Sequence, residues 1–133
     1  YRKISFNRVI VSGLFKDDLV KNGGDTIIDK SISFCKNHYK INQNLIIKLE
    51  KNIPVSAGLG GGSANSASVI RYFLSKTKSR NIITNETVQF SASLGSDVPA
   101  CLYSKPLIME GRGEKTTLIE FNDKLDIGVV LIN

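Results

Sequence analysis

The chain has 133 residues, of which 41% are hydrophobic and 23% charged, with 18 basic and 12 acidic side chains. This composition is typical of one globular domain or part of a larger one, and it excludes a collagen-like, disulfide-dense or wholly disordered chain. The net charge of +6 could attract phosphates, nucleic acid or a membrane surface, but the basic residues are mostly scattered lysines. We therefore expect a solvated lysine surface and neither a nucleic acid nor a membrane as partner.

The first half of the chain is predicted to contain two strands and one helix. Residues Ile4 to Val11 mix large apolar and polar side chains and predict a strand. The stretch from Lys16 to Gly24 is polar, and its closing Asn-Gly-Gly predicts a loop. Asp25 is the expected N-cap of a helix with apolar residues at helical spacing from Ile28 to Tyr39. Alternation from Leu45 to Glu50 predicts the second strand.

The second half is predicted to contain two helices followed by short strands. One helix is expected over Ala64–Leu74 and another over Thr84–Ser93, which Gly95 would end. Pro99 favours an extended conformation at the residue before it. Strands are expected at Leu107–Glu110, Thr116–Phe121 and Ile127–Ile132. This mixture predicts a two-layer α+β arrangement.

The strongest signal for chemistry is the loop Pro54–Ser63, between a predicted strand and a predicted helix. Four of the five residues in Gly58–Gly62 are glycine, which lets backbone N–H groups approach a ligand closely. The next helix directs unpaired N–H groups and its positive dipole end at the loop, an arrangement that suits a di- or triphosphate. Ser63 and Ser66 could add hydroxyl contacts to phosphate or Mg²⁺. The alternative is a flexible turn, because the loop lacks the lysine of a Walker loop and the spacing of a dinucleotide fingerprint.

Two further motifs follow the loop. Residues Gly95–Pro99 predict a turn whose conformation is set by its glycine and proline, and this turn carries Asp97. The Asp97 carboxylate could accept a proton from a substrate hydroxyl, or it could instead cap a following helix. In Gly111–Glu114 a tight turn between two strands carries Arg112, which could reach a phosphate or simply lie exposed.

The cysteines and the histidine do not form the pattern of a metal site. Cys35, Cys101 and His38 provide too few ligands, at the wrong spacing, for tetrahedral zinc. Two unpaired thiols fit a reducing compartment, so we expect a cytoplasmic protein. His38 is expected at an exposed helix end, without a catalytic role.

Three motifs together resemble those of the GHMP family of small-molecule kinases. Pro54–Asn65 reads PVSAGLGGGSAN and resembles the family's phosphate loop. Leu94–Pro99 resembles its catalytic aspartate motif, and Gly111–Glu114 resembles its downstream turn, in the same order and spacing. The triple glycine Gly60–Gly62 is most similar to the branch that acts on 4-diphosphocytidyl-2-C-methyl-D-erythritol.

The resemblance implies a fold and a reaction. The fold would be the α+β type of ribosomal protein S5 domain 2, with residues 1–133 forming an incomplete N-terminal, ATP-binding domain and the family's C-terminal domain absent. Asp97 would be the catalytic residue that orients or deprotonates the substrate's 2-hydroxyl as ATP phosphorylates it, in non-mevalonate isoprenoid (terpenoid) biosynthesis. The cofactors would be ATP and Mg²⁺, with Ser63 also near the metal. The nucleotide would lie on Pro54, Ala57, Gly58, Leu59, Gly60, Gly61, Gly62, Ser63 and Asn65.

Two other functions stay open from the sequence. The sequence starts at Tyr1 and its single methionine is Met109, so it is expected to be a piece of a longer reading frame. Members of the family begin with a strand that carries a lysine partner for the catalytic aspartate, and we expect that strand to fall before Tyr1, outside these 133 residues. The chain could therefore be a degenerate remnant that binds nucleotide without turnover. It could also be a basic RNA-binding module of similar fold.

Overall fold

A computed structural model describes residues 6–78, 82–120, 128 and 130. The elements in chain order are β1 (Arg8–Ser12), α1 (Lys16–Lys21), α2 (Thr26–Tyr39), β2 (Ile46–Glu50), α3 (Gly61–Lys76), α4 (Asn85–Leu94), α5 (Val98–Tyr103), β3 (Leu107–Glu110) and β4 (Lys115–Leu118). Helices and strands are mixed, which confirms the α+β class. Within these residues we find no helix with both the length and the apolar character needed to span a membrane.

The strands β1 and β2 form a parallel pair with one face on the core. Val9 lies opposite Ile47 and Val11 opposite Leu49, and all four side chains pack against the buried cluster. Parallel neighbours need a long connection, and here the chain crosses over through α1 and α2. The predicted strands are thus confirmed, the first over Arg8–Ser12, while residues 1–5 lie outside the described part of the chain.

The core lies where α2, α3 and α5 meet. The apolar stripe of α2 is buried as its spacing predicts, with Ile28 and Ile32 each only 1% exposed. Phe73 of α3 and Leu102 of α5 complete the centre of the core. Burial of each such side chain contributes about 1.5–3 kcal/mol to the stability of the fold. The packing of this cluster therefore fixes the orientation of α3 and of the loop before it.

Two short helices were not predicted. The polar segment that starts at Lys16 forms α1 before the loop that Asn-Gly-Gly indicated, because Leu19 is buried and anchors it. The extended conformation expected before Pro99 is wrong, since Val98 is the first residue of α5. Proline is tolerated in the first turn of a helix, where its missing N–H would have had no intrahelical acceptor. Val98 and Pro99 are both buried, so tertiary packing selects the helix.

The chain then forms an antiparallel hairpin. Leu107 lies opposite Leu118 and Glu110 opposite Lys115, so the four residues between the strands form its turn. The predicted strand at Leu107–Glu110 is confirmed, and β4 covers part of the one expected from Thr116. The strand expected over residues 127–132 lies outside the described residues except for 128 and 130.

Candidate active site

The glycine loop leads directly into α3. Gly58 and Gly60 have positive φ angles of 71° and 67°, and a Cβ at either position would meet nothing within 4 Å. Glycine is therefore required there by backbone conformation, and the loop surface is open. The helix begins at Gly61, three residues before the predicted start, so Gly61, Gly62 and Ser63 form its first turn. Their N–H groups lack intrahelical acceptors and can bind an anion.

A lysine lies beside this first turn. A Cβ on Gly61 would be 3.3 Å from Lys51 Nζ, and the turn contains no acidic residue. Within the described chain, the Lys51 side chain makes no hydrogen bond or ion pair. A cation next to the positive end of a helix is unfavourable unless an anion lies between them. The pair could therefore bind an anion, and Lys51 is a functional candidate that the sequence analysis missed.

The aspartate motif contacts the glycine loop. A Cβ on Gly95 would lie 3.7 Å from Ser63 Oγ, so the start of this motif packs on the first turn of α3. Asp97 is exposed and occupies the N-cap position of α5, but its side chain makes no capping hydrogen bond. Instead its Oδ1 accepts a 3.3 Å hydrogen bond from Ser96 Oγ. A helix does follow Asp97, yet the carboxylate is not used to cap it and remains available to a substrate.

The hairpin turn supports the aspartate motif. Gly113 is buried with φ 96°, and a Cβ there would overlap the carbonyl oxygen of Ser96 and lie 3.1 Å from its carbonyl carbon. The N–H of Arg112 donates a 2.6 Å hydrogen bond to Glu114 Oε2. The backbone N–H groups of Glu114 itself and of Arg112 lower the pKa of the Glu114 carboxyl. The three motifs of the sequence thus form one continuous cluster.

The remaining predicted residues differ in their accessibility. Pro54 and Ala57 are half-buried in the loop, whereas Leu59 is 44% exposed. The amide of Asn65 donates a 2.8 Å hydrogen bond to Asp25 Oδ2 at the start of α2.

The expectation that Ser66 contacts phosphate is wrong. It is fully buried, and its Oγ lies 2.8 Å from Ser31 Oγ across the interface between α2 and α3. Ser31 donates its own proton to Ile27 O, so Ser66 is the donor of this pair. The small side chain of Ser66 serves helix packing.

A polar cleft adjoins the aspartate motif. Its volume is about 790 Å³, and its walls include Gln89 and Ser93 of α4, Ser96, Arg112 and Glu114. Arg112 is exposed, and its guanidinium makes no ion pair in the described part of the chain. A cleft whose lining carries one cation and one carboxylate, next to the accessible Asp97 carboxylate, is suited to a polar substrate.

The thiols and the histidine have structural surroundings. Cys35 and Cys101 are unpaired. Burial raises the pKa of the Cys35 thiol to about 12. The pKa of Cys101 is raised by burial and then by the charge of Asp97. His38 is half-buried rather than exposed as expected, with Nδ1 3.3 Å from Glu86 Oε1. Across the described ranges, no group of three or more His, Cys, Asp or Glu could hold a metal ion.

Comparison with known proteins identifies relatives. The family model for the GHMP kinases N terminal domain matches residues 26–105, more than half of the chain. A 4-diphosphocytidyl-2-C-methyl-D-erythritol kinase of Clostridium botulinum (strain Alaska E43 / Type E3) is 39% identical over 97 residues, 72% of this chain and 34% of that protein. The kinase of the same name from Ligilactobacillus salivarius is 48% identical over 73 residues, 55% of this chain and 25% of that protein.

A third relative extends the matched region. The kinase of the same name from Prochlorococcus marinus (strain NATL1A) is 37% identical over 115 residues, 85% of this chain and 35% of that protein. The chain spans about a third of the length of the relatives it matches. The family match includes both the glycine loop and Asp97. The chain therefore belongs to the GHMP kinase family, as the clustering of its three motifs also indicates.

Proposed function

We propose that the chain is the ATP-binding part of a small-molecule kinase that phosphorylates the 2-hydroxyl of 4-diphosphocytidyl-2-C-methyl-D-erythritol. Its relatives carry the name of that activity. The observation that carries the proposal is the contact between Ser63 and Gly95, which brings an anion-binding helix terminus against the turn that carries Asp97. A phosphate donor bound at this helix terminus would therefore lie beside the proton acceptor. The specific S5-type fold of the family is part of the same proposal.

The glycine loop would bind the phosphates of ATP. The N–H groups of Gly61, Gly62 and Ser63 lie in the first turn of α3, and the ammonium of Lys51 lies beside Gly61. Charge-assisted hydrogen bonds of this kind are about twice as strong as neutral ones. They hold the β- and γ-phosphates in place and stabilise the charge that develops as the γ-phosphoryl group leaves.

Ser63 is the residue suited to a magnesium ion. Its hydroxyl makes no hydrogen bond with the rest of the described chain and lies in the first turn of α3. Mg²⁺ is commonly bound by one or two protein oxygens together with substrate phosphates and waters, and a single unpaired hydroxyl fits that pattern. When bound, the ion neutralises phosphate charge.

Asp97 would receive the proton. The substrate hydroxyl would donate a hydrogen bond to the Asp97 carboxylate, whose Oδ1 accepts a hydrogen bond from Ser96 Oγ. As the hydroxyl oxygen forms its bond to the γ-phosphorus, the bond to the ADP oxygen breaks and the hydroxyl proton moves to Asp97. Because phosphoryl transfer depends mainly on positioning, the orientation of the Asp97 carboxylate would matter as well as its basicity.

ADP release with Mg-ATP and the diphosphocytidyl substrate tests the proposal. We expect release that depends on this acceptor and not on homoserine or mevalonate. Asp97→Asn should abolish turnover and keep ATP affinity, whereas the exposed control Asp17→Asn should retain both. Equal turnover in Asp97→Asn would overturn the assignment of the base. ATP binding without acceptor-dependent release would indicate the nucleotide-binding remnant instead.

A further inference from the structure

The side chain of Asp25 connects two helix starts. Asp25 is the N-cap residue of α2, but its carboxylate makes no capping hydrogen bond. It accepts the 2.8 Å hydrogen bond from Asn65 Nδ2, a residue 40 positions away in the second turn of α3. A carboxylate at an N-cap ordinarily binds its own helix, so its use on another helix calls for a reason.

The Asp25–Asn65 hydrogen bond connects α3 to α2 close to the proposed phosphate-binding turn. Gly62 also faces α2, since a Cβ there would lie 3.8 Å from Ile27 Cγ2. Ser31 and Ser66 join the same two helices deeper in their interface. The Asp25–Asn65 bond thus joins α3 to the start of α2 in the turn that follows Gly61 and Gly62. Because an anion site requires donors in fixed directions, the position of this turn sets its affinity.

We propose that Asp25 is a positioning residue for nucleotide binding and that Asn65 acts through it rather than on the nucleotide. This inference rests on the proposed function. The hydrogen bond fixes the start of α3 against α2, so that its unpaired N–H groups are preorganised for phosphate. Preorganisation of this kind raises affinity because ordering costs are met before binding.

The test measures Mg-ATP affinity of the 133-residue chain and of five variants. Asp25→Ala and Asn65→Ala should each weaken binding about tenfold, and the double variant should be no weaker than either. Asp25→Asn keeps an acceptor oxygen for Asn65 and should bind like the wild type. Asp29→Ala removes an exposed carboxylate from the same helix and should also bind like the wild type. The N–H of Ala64 donates to Gly60 O, and its amide exchange without nucleotide should accelerate only in the variants that lack the Asp25–Asn65 hydrogen bond.

The outcomes separate the two claims. Wild-type affinity in Asp25→Ala, or equal losses in Asp25→Asn and Asp25→Ala, would overturn the positioning role while leaving the proposed function standing. Additive losses in the double variant would also overturn it, because Asn65 would then act on the nucleotide directly. An absence of Mg-ATP binding by the wild-type chain would overturn the proposed function and this inference together. A lower melting temperature of Asp25→Ala with unchanged affinity would indicate a purely structural contact.

Discussion

Gly113→Ala is expected to damage the site through backbone contact alone. A methyl group at this position would overlap the carbonyl oxygen of Ser96 and lie 3.1 Å and 3.3 Å from its C and Cα atoms. Non-bonded atoms in contact are most stable about 3.5–4.0 Å apart, so either the hairpin turn or the Ser96 backbone must move by roughly an ångström to relieve the overlap. Asp97 is the next residue and moves with it.

The magnitude has two parts. An L-residue in the left-handed region costs about 1–2 kcal/mol, and this applies to Gly113 at φ 96°. Forcing a methyl group into a packed position costs a further 1–3 kcal/mol, approximately. We therefore expect the free energy of unfolding to fall by about 2–5 kcal/mol. Turnover should fall by up to about 100-fold, because a misplaced reacting group is costly in rate.

Urea unfolding and ADP release measure the two effects. Gly23→Ala is the matched control, because Gly23 also has a positive φ, of 84°, but a Cβ there would meet nothing within 4 Å. It should cost only the conformational part, about 1–2 kcal/mol, and leave turnover unchanged. If Gly113→Ala were no more destabilising than Gly23→Ala, the close approach of the hairpin to Ser96 would be refuted.

Three further predictions concern single contacts. Lys51→Ala should weaken Mg-ATP binding about tenfold or more in a binding titration. The control Lys48→Ala, which removes an exposed lysine, should leave the affinity unchanged. Equal losses of affinity in the two variants would exclude a local role for Lys51. Ser31→Ala leaves the buried hydroxyl of Ser66 without its partner and should lower the free energy of unfolding, measured by chemical denaturation, by about 1–3 kcal/mol. Replacing both serines by alanine should lower it less, because no hydroxyl is then left unpaired. Additive losses in the double variant would contradict this prediction. Burial raises the pKa of Cys35 to about 12 from the ordinary 9.0, so its contribution to stability is complete below pH 9 and is lost as the pH rises towards 12. Unfolding measured across that range should show a steeper loss for the wild type than for Cys35→Ala, and parallel curves would refute the burial of the thiol.

Local patterns predicted the long elements and the motifs. The helical stripe of α2 and the alternation of β2 were visible because burial on one face imposes a period on the sequence. The glycine loop and Asp97 were visible because their chemistry depends on a few adjacent residues. The short helices α1 and α5 were missed, since six residues carry little propensity and their buried side chains, such as Leu19 and Leu102, are what stabilise them.

The contacts that assemble the site depend on residues far apart in the chain. The approach of Gly113 to Ser96, of Lys51 to Gly61 and of Asn65 to Asp25 each requires separate elements to meet. The hydrophobic periodicity of a single helix or strand does not predict such long-range contacts, because they depend on how the helices pack on the core. The motifs and most of their neighbours in sequence could therefore be read from the residues, whereas the partners that hold them in position became visible only in the folded chain.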